Sequence, residues 1–311
     1  MAGDRYFSKV ALLLHGDGAN NATTFTDSSG TPKTVTGSGN AKISTAQSKF
    51  GGSSIYLDGS GDLLTAGIES NWTALHTSTA KWTIEGWIKP DNWTTRKTLV
   101  TSTNGSTAAF GIWLSLEANT RKIEMYVYRG VGSSFVLTGT FSGAFPNDTD
   151  WHHFAVTYDY SLASANAKLW IDGVASGTLS KTGNPPSASA ATTALKIGGY
   201  SSTGDFAGYI DDLRVSIGVI RYEATFTPHS AAHPDASTTV AGVIKDDTNA
   251  NCARTVRLYD RASGALLGEV TSDASTGAYS IVSELDEVQR VVLDDSGGML
   301  YNDLIDRVIP E

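Results

Sequence analysis

The feature that most restricts the fold is a series of short apolar stretches broken by turn residues. VALLLH, SSIYLDG, KWTIEGWIKP, KTLVTST, FGIWLSLE, KIEMYVYR, SFVLTGTF, HHFAVTYD, KLWIDGV, LKIGGY and GYIDDLRVS follow one another, separated by Gly, Asn, Asp, Ser and Pro. Strands at this spacing predict an all-β sandwich or barrel, and no long segment shows the periodicity of a helix. In KWTIEGWIKP, Trp82, Ile84, Gly86 and Ile88 share one face, and Lys81, Thr83, Glu85, Trp87 and Lys89 share the other. One face is therefore expected to meet the core and the other a wetter, partly aromatic surface.

GYIDDLRVS fits this scheme less easily. Strict alternation places Tyr209, Asp211, Leu213 and Val215 on one face, and Ile210, Asp212, Arg214 and Ser216 on the other. A carboxylate at 211 on an apolar face then needs a partner. Asp212 and Arg214 are expected to form an ordinary surface pair, worth little.

The chain has 311 residues, enough for two domains or one large all-β domain, and only 18% are charged. Its net charge of −9 argues against a nucleic-acid partner. Up to Ala236 there are 17 basic and 19 acidic residues, and from Ser237 onward 6 and 13, which suggests two units with different surfaces. No apolar run approaches the roughly 20 residues of a membrane span. The apolar core Val10–Leu14 near the start is too short for a signal peptide, so synthesis and folding in a cytoplasm are expected. A single cysteine, Cys252, excludes an intrachain disulfide framework. Thr225–Ser237 is rich in Pro, His and Ala, lacks alternation and reads as a linker. The expected organisation is an N-terminal arm over 1–8, a large domain over 9–224, a linker over 225–237 and a small β-sandwich over 238–311.

KFGGSSIYLDGSGDLL, KWTIEGWIKP, DWHHFAVTYD, KLWIDGV and GDFAGYIDDLRVSIGVIRY resemble, in that order, the laminin-G-like, concanavalin-A-like jelly rolls. The resemblance covers about residues 9 to 230 and implies two antiparallel sheets, one with a concave face. The ending IGVIRYEATFTPHSAAHP is similar to versions found in tailed-phage virion proteins. TTVAGVIKDDTNANCARTVRLYDRASGALLGEVTSDASTGAYSI is similar to carboxypeptidase-regulatory-like or transthyretin-like small sandwiches.

Jelly-roll glucanases carry a Glu-x-Asp-x-(x)-Glu run, because hydrolysis needs paired carboxylates on one strand. Glu85 stands alone, Glu117 and Glu124 lie across a turn, and no nucleophile elbow or phosphate loop occurs. The protein is therefore expected not to be an enzyme. Laminin-G-like domains often bind one Ca²⁺ at a sheet rim, and Asp17, Asp27 and Asp211 are the candidate ligands. The alternative is that these carboxylates cap turns through main-chain N–H groups, which is favoured for Asp58 and Asp62. His152 and His153 point to opposite faces and are expected to be one core and one surface residue. Trp87, Trp93, Trp113 and Tyr128 are candidates for stacking on a sugar, and Trp82, Trp151 and Trp170 for packing.

The expected function is that of a non-enzymatic phage virion protein, in a capsid decoration, tail fibre or tail tip. It would be made in the host cytoplasm and located in the virion, as a homo-oligomer contacting other virion proteins, with no membrane insertion. The alternative is a carbohydrate-binding module for host-surface glycan, and a glycoside hydrolase ranks third.

Overall fold

The computed structural model describes all residues except 1–2, 107–108, 131–134, 184–188, 201–203, 247, 262, 284–287, 295–300 and 309–311. The chain divides into two units, Lys9–His233 and a smaller one made of Met1–Ser8 with Pro234–Glu311.

In chain order the strands of the large unit begin with β1 (Val10–Leu14), β2 (Val35–Ser38), β3 (Lys42–Ser44), β4 (Ser54–Asp58), β5 (Leu63–Ala66), β6 (Lys81–Pro90) and β7 (Lys97–Thr101). They continue with β8 (Phe110–Leu116), β9 (Lys122–Arg129), β10 (Phe135–Ala144), β11 (His152–Asp159), β12 (Ala167–Ile171), β13 (Val174–Leu179), β14 (Leu195–Ile197) and β15 (Ala207–Ile217). One sheet runs β13-β12-β11-β6-β15-β4-β3, with β1 also paired to β15, and the other runs β10-β9-β8-β7-β14-β5-β2. Both are antiparallel throughout.

Alternation explains how the two sheets share a core. Trp82, Ile84 and Ile88 of β6 join Ile112, Leu114, Ile123, Met125, Val127 and Phe154 in one buried apolar cluster. Trp72 and Trp82 are fully buried, and their indole N–H groups donate to the Ala66 and Leu75 carbonyls at 2.9 Å. Trp170 is also buried, whereas Trp151 is only partly covered.

β15 lies beside β1, Leu14 opposite Leu213, and departs from strict alternation at one point. Against β6 its register runs Ile210 to Ile88 and Asp211 to Trp87, then shifts so that Arg214 faces Glu85 and Val215 faces Ile84. The extra residue is Asp212, whose φ is +49°, a left-handed conformation that Asp tolerates better than most residues. This bulge changes the phase of the strand. Ile210, Leu213 and Val215 all enter the core, while Asp211 and Arg214 join Trp87 and Glu85 on the outer face. Asp211 is therefore not on the apolar face. Asp212 and Arg214 are not a surface pair either: both are buried, and Arg214 bonds Glu85 instead.

Of the segment 225–237, read from its composition as linker, residues 225–233 fold back on the outer face of this sheet. Phe226 N donates to the Gly173 carbonyl at 3.0 Å, His233 N donates to Asp212 Oδ2 at 2.9 Å, and His233 is buried. Gly173 permits the close approach, since its φ is +79° and a Cβ there would lie 1.9 Å from Phe226 O.

The small unit contains β16 (Thr239–Val243), β17 (Thr255–Asp260), β18 (Leu266–Thr271), β19 (Ala278–Val282), β20 (Val288–Asp294) and β21 (Tyr301–Val308). They form a two-stranded sheet, β16-β19, and a four-stranded sheet, β18-β17-β20-β21. Val240, Val256, Leu258, Ile281 and Val288 form its apolar cluster with the buried Cys252. Residues 3–8 belong here rather than to a free arm: Asp4 N donates to Ala236 O at 2.8 Å, and Asp4 bridges Ser237 in parallel. Among the described residues no helix is long and apolar enough to cross a membrane.

Candidate functional site

The outer face of the seven-stranded sheet carries a continuous cross-strand row. Thr36, Thr65, Lys196, Thr101, Trp113, Tyr126 and Thr138 are successive register partners from β2 to β10. A second row, Thr98, Ser115, Glu124 and Thr140, runs beside it. These positions alternate with the core residues Val100, Leu114 and Met125, so the pattern that builds the core also assembles a polar and aromatic surface.

The aromatic groups there support one another. Trp113 stacks on Tyr200, with centroids 4.8 Å apart and planes at 24°, and lies 5.9 Å from Tyr126. Phe135 contacts both Tyr126 and Tyr128. The Trp113 indole N–H donates to Thr98 Oγ1 at 3.1 Å, which fixes the ring. Arg96 lies 5.2 Å from the Trp113 ring centre, donates to Glu124 and donates to the Tyr126 hydroxyl at 3.1 Å. Ser115 donates to Glu124 Oε2 at 3.2 Å. Arg96 and Glu124 offset each other, while Lys196 in the same row adds a positive charge. Trp113, Tyr126 and Tyr200 are partly exposed, whereas Tyr128 is mostly covered and burial pushes its phenol up to about 12.

Of the four aromatic residues singled out from sequence, the structure brings Trp113 and Tyr128 together here. Trp93 lies elsewhere, stacked on Phe145 and donating its indole N–H to Asp148 O at 2.5 Å. Trp87 is buried on the outer face of the other sheet, 5.2 Å from the His153 ring. Tyr126 and Glu124 were legible in KIEMYVYR, where alternation places both on the face of Tyr128. Arg96 and Tyr200 come from loops and carried no periodic signal.

The other sheet holds a second polar assembly, beneath the folded-back segment. Glu85 is fully buried; Arg214 donates to its Oε1 at 2.8 Å and the Tyr222 hydroxyl to its Oε2 at 2.5 Å. Arg221 Nε lies 3.8 Å from the same carboxylate. Burial pushes the Glu85 carboxyl up, but Arg214 and the neighbouring cations overcome this and hold it well below the usual range. Asp212 lies 2.7 Å from His15 Nδ1 and 2.8 Å from His229 Nε2, contacts that outweigh its burial and keep it ionised. His229 and His233 overlap with ring centres 3.9 Å apart, and burial lowers the pKa of His153 and His233. His152 and His153 do point to opposite faces, but neither is a surface residue: His152 is buried between Asp148 and Asp172 at 2.7 and 2.8 Å.

The three candidate calcium ligands separate. Asp27 accepts three main-chain N–H bonds, from Leu13 and Ser29 on Oδ1 and from Lys33 on Oδ2, so both oxygens are engaged as turn caps. Asp58 accepts from Ser60 N and Asp62 from Asp58 N within their turn, and Asp62 also accepts from the more distant Asn40 N. Asp211 Oδ2 accepts from Lys49 N and Phe50 N at 2.6 and 3.1 Å, whereas its buried Oδ1 has no hydrogen-bond partner. Burial pushes Asp211 up to about 7, with Asp212 and Asp17 adding to the shift. Asp17 itself abuts Gly51, where a Cβ would lie 1.8 Å from Asp17 Oδ1. An unsatisfied carboxylate oxygen with a second carboxylate close by suits a hard cation, and Asp17 with Asp211 are the residues that would hold one. Asp27 does not fit.

A family profile described as the concanavalin A-like lectin/glucanases superfamily matches residues 58–220. No curated protein sequence matches the chain. Among solved structures, domain 4 of AbnA, an extracellular arabinanase from Geobacillus stearothermophilus in complex with arabinotriose, is similar at 20% identity. That likeness covers 68% of this chain and 93% of the other, with a TM-score of 0.47. The CBM40 of the Ruminococcus gnavus IT-sialidase bound to α2,3 sialyllactose is similar at 18% identity over 45% of this chain and 77% of that one, with a TM-score of 0.37. The binding domain of a botulinum neurotoxin of serotype D/C is similar at 13% identity over 96% and 74%, with a TM-score of 0.48.

Proposed function

From its membership in the concanavalin A-like lectin/glucanase superfamily as premise, we propose that this chain binds a glycan on the outer face of its seven-stranded sheet. The observation that carries the reading is the row Trp113, Tyr126 and Thr138, in which partly exposed aromatic rings adjoin an exposed hydroxyl group. Sugar rings present C–H faces to aromatic rings and hydroxyls to polar neighbours, and this surface offers both. The reading is of binding without turnover. Glu124 has Ser115 and Thr140 as register partners, and Glu85 is buried on the other sheet, so these two carboxylates cannot flank one glycosidic bond.

A glycan array followed by calorimetry on the best hit tests the proposal. Trp113→Ala should weaken binding about tenfold or more, the loss expected when a ring contact worth roughly 1–1.5 kcal/mol is removed. Trp93→Ala should leave affinity unchanged. An array without hits, in the presence and absence of Ca²⁺, would refute the reading.

For the biological setting we infer display on a phage particle, on the similarity of IGVIRYEATFTPHSAAHP to virion proteins. Repeated copies would turn weak single-site contacts into firm attachment. Mass spectrometry of purified virions lacking this chain would sink that inference. We further propose that Ca²⁺ binds Asp17 and Asp211, where it would neutralise the buried carboxylate and fix the 49–51 loop against β15.

A further inference from the structure

The polar assembly beneath the folded-back segment contains a convergent set of donors. Glu85, His229 and His233 each present a ligand atom, and the three lie within 4.8 Å of one another. Glu85 Oε2 is 3.6 Å from His153 Nε2 and 3.7 Å from His233 Nε2. These separations are too long for hydrogen bonds. They are close to the spacing of atoms that share one ion, since tetrahedral ligands at roughly 2.0–2.1 Å from a metal lie roughly 3.3 Å apart.

The nitrogen atoms add an independent observation. Both ring nitrogens of His153, Nε2 of His233 and Nδ1 of His229 are buried and have no hydrogen-bond partner. Buried polar atoms are almost always satisfied, and several in one place call for a common partner. The surrounding charge selects the kind of partner. Arg214 and Arg221 lie at Oε1 of Glu85, while Oε2, which also accepts from Tyr222, faces the histidines. With the acidic Glu85 and Asp212 offset by two guanidinium groups, the attraction must come from imidazole donors rather than from excess negative charge. That favours a borderline transition ion over Ca²⁺ or Mg²⁺.

We propose that Glu85, His229 and His233 form a site for a divalent ion of the zinc class, which fastens the 225–233 segment to the sheet. Glu85 comes from β6 and the two histidines from the segment itself, so the ion would cross-link parts of the chain remote in sequence.

Zinc titrated into the chelator-treated, dialysed full chain tests this. About one ion per chain should bind, and at a hundredfold excess over Kd the melting temperature should rise by roughly 5–10 °C. The double variant His229→Gln, His233→Gln should lose the zinc response while keeping the wild-type circular dichroism in chelator. Mg²⁺ should not reproduce the response. Cobalt(II) should develop the visible band of imidazole coordination in the wild type. Zinc binding no tighter than in the double variant would overturn the proposal, leaving an ordered water as occupant. If the double variant fails to fold, the cobalt spectrum of the wild type decides, and a spectrum unchanged from the aqueous ion refutes the site.

Discussion

Replacing Arg214 by alanine should remove about 3–5 kcal/mol of stability from the large unit, the range seen when one partner of a buried ion pair is deleted. Glu85 is fully inaccessible and Arg214 nearly so, with Nε and one terminal nitrogen of the guanidinium both donating to Glu85 Oε1, at 3.1 and 2.8 Å. Without Arg214 the carboxylate keeps Tyr222 and the more distant Arg221, which cannot replace two charge-assisted bonds. Chemical denaturation measures the loss. The double variant Arg214→Met, Glu85→Gln should recover a large part of it, because it removes both charges together. A single-variant loss below about 1 kcal/mol would show that water can take the place of the guanidinium.

The second large effect concerns Asp211 and depends on the solution. Its folded-state carboxyl sits at about 7 against an ordinary 3.8. The folded chain therefore holds a proton that the unfolded chain releases between those values. In chelator the wild type loses stability from this group as pH rises from about 4 to about 8, by up to about 4 kcal/mol at 1.36 kcal/mol per unit. Asp211→Asn cannot ionise, and its amide oxygen can still accept from Lys49 and Phe50 N–H. The variant should thus match the wild type near pH 3.5 in chelator, where the carboxyl is protonated in both folded and unfolded chains, and exceed it near pH 8.5. Saturating Ca²⁺ should reverse the order by stabilising the wild type alone. Identical melting curves of wild type with Ca²⁺ and with chelator would refute the calcium site, and a variant that is less stable at both pH values would refute the account of the buried charge.

These two residues also show where reading the sequence succeeds and stops. The sandwich was legible because KWTIEGWIKP, FGIWLSLE and KIEMYVYR keep strict alternation, and their core halves do meet in one cluster. The same alternation contained half of the glycan-binding candidate, Trp113 with Glu124, Tyr126 and Tyr128. GYIDDLRVS misled for a physical reason. One inserted residue, Asp212 in a left-handed conformation, exchanges the faces of everything after it, and no glycine marks the place. Asp211 and Arg214 therefore share a face although their spacing says otherwise. His229 and His233 were hidden differently. Their neighbours lack periodicity, and their partners Glu85 and His153 are brought near only by the closed sheet.

The small unit is assembled from both ends of the sequence, with Asp4 paired to Ser237 and the large unit lying between them in the chain. This arrangement has a temporal consequence. Asp4 leaves the ribosome before the jelly roll, but its partner follows only after the whole jelly roll has been made, a delay of about ten seconds or more at typical synthesis rates. The large unit can close as soon as His233 emerges, whereas the small one must wait with its first residues unpaired. In a growing chain the guest domain is finished before its host can begin.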